Sequence, residues 1–466
     1  MESNSTAPGK VFLVGAGPGS PDLLTWRAIK LMQHCDVVCY DLLVSPAILS
    51  LVPSDKEMLA VGYRGYCGTS IEYGMHPDVI AQALAGKNVL RLKSGDPFIF
   101  GRGTEECRCL NHHGIEYEVV PGITSALGAA AYAGFPLTSN GLASDVTFAS
   151  GHRASSVLNN WASMGQSSGT LVLYMAAKKL AQHAARLIEQ GRDPETAVAL
   201  VSSATRHNQR LLTTTLAKID EVMDNDMHQD GSPVLVIMGQ VVALAPELSW
   251  HDKLPLTGNC IMMDQSQAAI AEVLRMAGAE IILSPAVTKQ YGFAAEDWAQ
   301  ILKAPSLWLE NIDAVKGLEQ SAKDEGLDVR QWSWQLSGSQ PVQAYLADKG
   351  INIALADKMA IGMLALTSGT KSNQGQGMCG CRASALAPRY DLGKVAVCWV
   401  EEPALAELIT QTQVGFDCEL FITSQADIAK QLALSGKDVV TLASACVESV
   451  ISVLVDLPLR RKSNVA

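Results

Sequence analysis

The stretch VFLVGAGPGSPDLLT, residues 11–25, sets the reading of the fold. Its four apolar residues Val11, Phe12, Leu13 and Val14 have the length and β-branched character of a buried strand. The strand breaks at once into a Gly/Pro loop, and a helical segment follows. That succession is a βα unit. Gly15, Gly17 and Gly19 can take positive φ and let a ligand approach the backbone.

Working outward, the pattern repeats. CDVVCYD, residues 35–41, reads as a second strand with Asp41 just past its end. NVLRLKSGDP is a strand and a loop, and YEVVPGITSALGAAAYAG is a strand, a turn and a small-residue helix. GTLVLYMA, AVALVSSA and SPVLVIMGQVVAL supply further strands. Strands alternating with helices predict an α/β fold with a mainly parallel sheet, whose ligands bind at the carboxyl ends of the strands. The aperiodic, proline-bearing stretch 244–259 predicts a domain boundary, and the pattern then restarts. APSLWLENIDAVKGLEQ and CELFITSQADIAKQLALSGKDVVTLAS look alike, a faint duplication that predicts two α/β lobes. The Gly/Ser-rich run near 368–392 predicts a flexible loop.

With 466 residues, and roughly 150 per domain as a guide, two to three folding units are expected. Hydrophobic residues make up 48% and charged residues 18%, a globular composition. The formal charge of −11 argues against nonspecific nucleic-acid binding. No apolar run approaches the ~20 residues that cross a bilayer. The polar beginning MESNSTAPGK lacks a signal-peptide pattern, so a cytoplasmic protein with reduced cysteines is expected.

Two loops carry the chemistry. GAGPGSPD resembles the dinucleotide pattern G-x-G-x-x-G, but its last glycine falls on Ser20 and Pro18 interrupts the turn. A nicotinamide-dependent dehydrogenase rests on that turn alone. A bland βα turn and a ligand loop both remain open. LKSGDPFIFGRGTEE, residues 92–106, is more specific. Gly95, Gly101 and Gly103 free the backbone, Pro97 fixes a turn, and Asp96 could accept bonds from ribose hydroxyls or an amino group. An Asp-Pro turn at a strand end is the structural alternative.

VGAGPGSPDLLT, YDLLVS, LKSGDPFIFGRGTEE, VVPGITSA, AGFPLT and LVLYM occur in this order. The set closely resembles the uroporphyrinogen-III C-methyltransferases, which make precorrin-2 for sirohaem and cobalamin. The resemblance implies a tetrapyrrole-methylase fold over residues 8–248: two α/β subdomains with a cleft, usually as a homodimer, binding S-adenosylmethionine as co-substrate and uroporphyrinogen III as substrate. Carried over by position, it implies cofactor contacts at Pro18, Ser94, Gly95, Asp96, Ile99, Thr124, Ser125, Met175 and Ala204. Asp41 matches the acid proposed for proton transfer, while Arg102 and Glu105 match positions facing the substrate. Methyl transfer from a sulfonium needs no metal, and orientation supplies much of the acceleration. Asp41 or Glu105 could take the proton lost afterwards. Arg102, Arg64 and Arg153 are candidate partners for substrate carboxylates.

The chain departs from the family at several of these positions. VGYR replaces VGKR, putting Tyr63 where a lysine is usual, and PLTSNG replaces PLTHRD with Ser139, Asn140 and Gly141. Ser94 and Ala204 stand in place of glycines. These changes leave open a catalytically impaired tetrapyrrole- or S-adenosylmethionine-binding regulatory or assembly protein.

Residues 258–460 are weakly similar to uroporphyrinogen-III synthase, chiefly through CELFITSQADIAKQL. The resemblance implies a divergent, two-lobed α/β region whose own activity is open. MCGCR has the wrong spacing for a structural zinc pair, and the CRC and HH pairs lie on a predicted helix as poor joint ligands, so no metal site is expected.

Overall fold

The computed structural model describes residues 7–62, 74–151, 161–222, 232–284, 287–328, 332–356, 358–360, 363–367, 378–379, 381–385, 394–401, 405–406, 409–410 and 417–456. Tyr63, Arg64, Arg153 and most of the Gly/Ser-rich run lie outside the described residues. The chain divides into two compact units. One comprises Met1–Pro285, Pro388–Glu401 and Gly415–Ala466, and the other Ala286–Ala387 and Glu402–Val414.

The first unit opens with Val11–Gly15 (β1), Val37–Asp41 (β2), Glu57–Gly62 (β3), Val89–Lys93 (β4) and Tyr117–Val120 (β5), parallel throughout and ordered β3-β2-β4-β1-β5. Its helices are Trp26–His34 (α1), Pro46–Leu49 (α2), Pro77–Leu84 (α3), Gly103–His112 (α4) and Ser125–Ala133 (α5). Thr25 caps α1 by accepting from the Ala28 amide at 3.2 Å, which is why the helix starts where the PDLLT turn ends. Period-2 alternation puts Val11, Leu13, Val37, Cys39 and Val89 on one face, packed against Val79, Ile80 and Ala83 of α3 and Leu110 of α4.

A second sheet follows, built from Val146–Ser150 (β6), Thr170–Tyr174 (β7), Ala197–Ser202 (β8), Arg210–Thr215 (β9) and Val234–Met238 (β10), ordered β6-β7-β10-β8-β9. Here the expectation of parallel pairing holds for β6 and β7 only. β10 runs antiparallel to β7 and β8, and β8 to β9. For β8 and β9 the physical reason is connection length: the seven residues 203–209 between them can turn a hairpin but not a parallel crossover. Leu171 and Leu173 face Leu180 and Leu187 of helix Leu180–Glu189, while Val172 and Tyr174 face the alanines of α5. Helix α5 thus belongs to the first sheet by sequence and to the second by packing.

The boundary stretch folds back on α5. Trp250 donates its Nε1–H to the Ala131 carbonyl at 2.9 Å, and a Cβ on Gly134 would stand 2.5 Å from the Cα of Ser249. Cys260–Met263 (β11), helix Ala268–Met276 and Glu280–Leu283 (β12) come next. The second unit then holds Ser306–Leu309, Gln335–Gly338, Ala354–Leu355, Leu364–Thr367 and Met378–Cys379 in one parallel sheet, with a separate antiparallel pair Val287–Tyr291 and Cys381–Ala385. Its core gathers Trp298, Leu307, Leu309, Val315 and Leu318. Back in the first unit, Lys394–Trp399, Asp417–Thr423 and Val439–Thr441 pair in that order beyond β11, completing a five-stranded parallel sheet. Its core of Ile261, Met263, Leu274, Val397, Trp399 and Ile422 is its own. The similar segments therefore sit differently: Ser306–Leu309 is central in its sheet, and Asp417–Thr423 is one strand from an edge.

Candidate functional site

Three strand ends of the first sheet meet backbone to backbone. Gly17 and Gly95 exchange hydrogen bonds, the Gly17 amide to the Gly95 carbonyl at 3.1 Å and the Gly95 amide to the Gly17 carbonyl at 2.8 Å. Both have positive φ, +72° and +69°. A Cβ on Gly122 would lie 2.3 Å from the Gly95 carbonyl oxygen, and one on Gly15 would lie 2.5 Å from the Gly122 amide. Glycine is required here because the loops after β1, β4 and β5 approach too closely for side chains.

Asp96 ties this junction. Its Oδ1 accepts from the Phe98 and Ile99 amides at 2.8 and 3.1 Å, and its Oδ2 from the Gly122 amide at 3.0 Å. Among the described residues this carboxylate's partners are three backbone amides, a structural role that stands beside the ribose-acceptor reading of the sequence. The loop it holds turns sharply. Phe100 and Arg102 take left-handed φ of +53° and +59°, a conformation that costs roughly 1–3 kcal/mol per residue and clusters at functional sites. Ile99 is 37% exposed at its tip. Ser94 does not share the left-handed backbone, so a side chain there adds no backbone strain.

The second sheet supplies another wall. The Tyr174 hydroxyl lies 2.7 Å from Thr124 Oγ1 and accepts the Ala126 amide at 3.2 Å, so it, and not Thr124, caps the start of α5. Burial pushes the Tyr174 phenol above its usual pKa, so it stays protonated at neutral pH and can donate to Thr124. Its ring packs 4.7 Å from that of Phe100. Next to it Met175, with φ +55°, is 55% exposed. Ser125 Oγ would be 3.4 Å from a Cβ on Gly95, and Pro18 packs where a Cβ on Gly128 would otherwise stand.

The turn after β8 closes the arrangement. Ser203 and Thr205 have left-handed φ of +48° and +65°, but the buried Ala204 between them does not. Alanine therefore fits where the family resemblance led us to expect glycine. Thr205 Oγ1 accepts the Ser20 amide at 3.0 Å, which links this turn to the glycine loop. Pro18, Gly95, Asp96, Thr124, Ser125 and Ala204 thus fall on one set of joined loops, with Ile99 and Met175 exposed beside it.

Asp41 ends β2 and is held by Arg91 Nη2 at 2.5 Å. Arg91 also lies 3.3 Å from Glu106, whose Oε1 accepts from Lys93 at 2.9 Å. Period 2 sets Arg91 and Lys93 on the α4 face of β4, opposite the buried Glu106. Burial opposes the Arg91 charge, but Asp41 and Glu106 more than offset it and hold its pKa above the ordinary arginine value. Sequence reasoning missed Arg91, Lys93, Glu106 and Tyr174. The signal was present: two cations alternating in the otherwise apolar VLRLK. Arg102 and the exposed Glu105 begin α4 and have no side-chain partner among the described residues. Ser139 pairs with Ala143 across a turn in which Gly141 has φ +78°, and Asn140 is exposed there.

The glycine-lined backbone, the Ser125 hydroxyl and the exposed Ile99 and Met175 suit a ligand with a polar sugar and an apolar base. Among the described residues no helix is long and apolar enough to cross a membrane. Residues 10–220 match the family of tetrapyrrole (corrin/porphyrin) methylases. A siroheme synthase of Pseudomonas fluorescens (strain SBW25) is 47% identical over 247 residues, 53% of this chain and 53% of its own length. One from Chromobacterium violaceum is 46% identical over 244 residues, 52% of each. The chain spans about half the length of the curated relatives it matches. Among solved structures, a uroporphyrin-III C-methyltransferase from Thermus thermophilus complexed with S-adenyl homocysteine shares 35% identity and a TM-score of 0.44, over 51% of this chain and 100% of that one.

Proposed function

We infer that this chain, which through residues 10–220 belongs to the tetrapyrrole methylase family, methylates uroporphyrinogen III with S-adenosylmethionine at C2 and C7, giving precorrin-2. The observation that carries the reading is the junction of Gly15, Gly95 and Gly122, where the loops after β1, β4 and β5 close on one another beside Thr124 and Ser125, with Ile99 and Met175 exposed at its edge.

The sulfonium donor supplies an activated methyl group. The chain's task is to hold donor and acceptor in line and accept a proton. Gly95, Ser125, Ile99 and Met175 would contact the donor, and Asp96 and Tyr174 would keep their loops rigid. Arg102 would pair with a substrate carboxylate through its planar fork of donors. Asp41, oriented by Arg91, would take the proton released after the pyrrole carbon is alkylated. The homodimer belongs to the same reading: Leu42, Leu43, Phe98 and Leu127, exposed near the carboxyl ends of the first sheet's strands, would be covered by a second copy. Residues 258–460 are read as a divergent uroporphyrinogen-III-synthase-like region, supported by two parallel five-stranded sheets.

The test is anaerobic incubation of the full chain with uroporphyrinogen III and S-adenosylmethionine, following precorrin-2 by absorbance and S-adenosylhomocysteine by mass spectrometry. Both products are expected. S-adenosylmethionine binding without either product would overturn turnover and favour the regulatory reading that Tyr63 and Asn140 prompt.

A further inference from the structure

The turn after β8 is gripped from outside the two methylase sheets. Glu280, the first residue of β12, is buried, and its carboxylate accepts four donors from that turn. Oε1 takes Arg206 Nη2 and Nε at 3.0 and 3.3 Å, and Oε2 takes the His207 amide and Nδ1–H at 2.9 and 2.6 Å. A second pair runs beside it. Arg275, in the last turn of helix Ala268–Met276, lies 3.1 Å from Asp22, which follows the glycine loop. β12 and the helix before it thus hold both segments that close on each other through Ser20 and Thr205.

Ser203, Ala204 and Thr205 are buried, Ala204 within the α5 core, but Arg206 and His207 beyond them in the turn are only half-buried. Ser20, Asp22, Tyr132, Arg206, Arg275 and Glu280 line a cavity of about 160 Å³ behind it. The turn also carries two left-handed non-glycine residues, one of them the β-branched Thr205, so it persists only where surrounding bonds over-determine it. Removing the carboxylate would leave the Arg206 charge and the His207 amide without these partners.

We propose that Glu280 is a positioning residue for the methyl-donor site: the C-terminal α/β region fixes, through Glu280 and Arg206, the Ala204-bearing turn against which S-adenosylmethionine binds. This rests on the donor-site reading above. It gives the C-terminal region a role in methyl transfer independent of any chemistry of its own.

The experiment is calorimetric titration of S-adenosylhomocysteine into the full chain and into Glu280→Gln, with steady-state kinetics on both. The expected result is a dissociation constant and a KM for S-adenosylmethionine raised at least about tenfold, with kcat changed less than about threefold. Glu280→Asp, which keeps the charge, should recover much of the affinity. Unchanged affinity in folded Glu280→Gln would overturn the proposal alone. If that variant does not fold, Arg206→Gln breaks the pair from its more exposed side, and unchanged affinity there is equally fatal. No binding by the unaltered chain would overturn the donor-site reading and the proposal with it.

Discussion

Asp96 Oδ2 accepts the Gly122 amide at 3.0 Å, so one carboxylate joins the loop after β4 to the loop after β5. With Phe98 and Ile99 on its other oxygen, it satisfies three amides. Asp96→Ala leaves all three without that acceptor and should destabilise the chain by about 2–3 kcal/mol. Asp96→Asn keeps an acceptor oxygen for one side and should lose roughly half as much. Urea denaturation and S-adenosylhomocysteine titration check both. An Asp96→Ala chain of normal stability and normal affinity would refute the staple.

Tyr174→Phe removes the hydroxyl that caps α5 and meets Thr124. The ring and its packing on Phe100 remain. We expect a stability loss of about 1–2 kcal/mol and a similar proportional loss of donor affinity. A loss of stability with affinity untouched would mean that the cap serves the fold only.

The buried Arg91, Lys93 and Glu106 and the half-buried Asp41 balance two cations with two carboxylates. Breaking one member strands the others, at a cost of about 3–5 kcal/mol. Glu106→Ala should therefore be far more damaging than Glu105→Ala one residue earlier, because Glu105 is exposed and has no described partner. Denaturation midpoints of the two variants make the comparison, and equal midpoints would contradict it.

The first sheet was legible because its strands are apolar runs bounded by glycine and proline, and short βα connections leave little freedom. The second sheet's direction was not: Leu171 to Tyr174 and Val198 to Val201 read the same whichever way they run, and the length of the 203–209 turn fixes β9 against β8 alone. Most of the loops around the proposed donor site could be found from glycine spacing. The three amides that Asp96 accepts could not, since a sequence does not show which backbone groups a carboxylate meets. Glu280 was equally hidden, because its partners lie more than seventy residues away, at Arg206 and His207.

Glu280 should also set the acid stability. Burial pushes its carboxyl up, but Arg206 and His207 reverse this, bringing its pKa from the ordinary 4.5 to about 2. A pKa depressed by folding stabilises the fold above the unfolded value, and that stabilisation is lost as pH falls toward the folded value. The contribution is about 3 kcal/mol at pH 6 and smaller by roughly 2 kcal/mol at pH 3. The stability gap between the unaltered chain and Glu280→Gln, measured in urea, should narrow by that amount over the interval. Parallel pH dependences would place the titration elsewhere.

Ala204 gives the sharpest contrast between resemblance and geometry. If the family's glycine were needed for left-handed backbone, Ala204→Gly would improve donor binding. Here the left-handed residues are its neighbours, Ser203 and Thr205, and Ala204 is buried in an ordinary conformation. Glycine would add backbone freedom to the unfolded chain and lose the packing of one methyl, so Ala204→Gly should destabilise by about 0.5–1 kcal/mol. It should leave the KM for S-adenosylmethionine the same or higher. A tenfold fall in that KM would show that the Ala204 methyl obstructs the donor, and that the turn after β8 must move before the donor can bind.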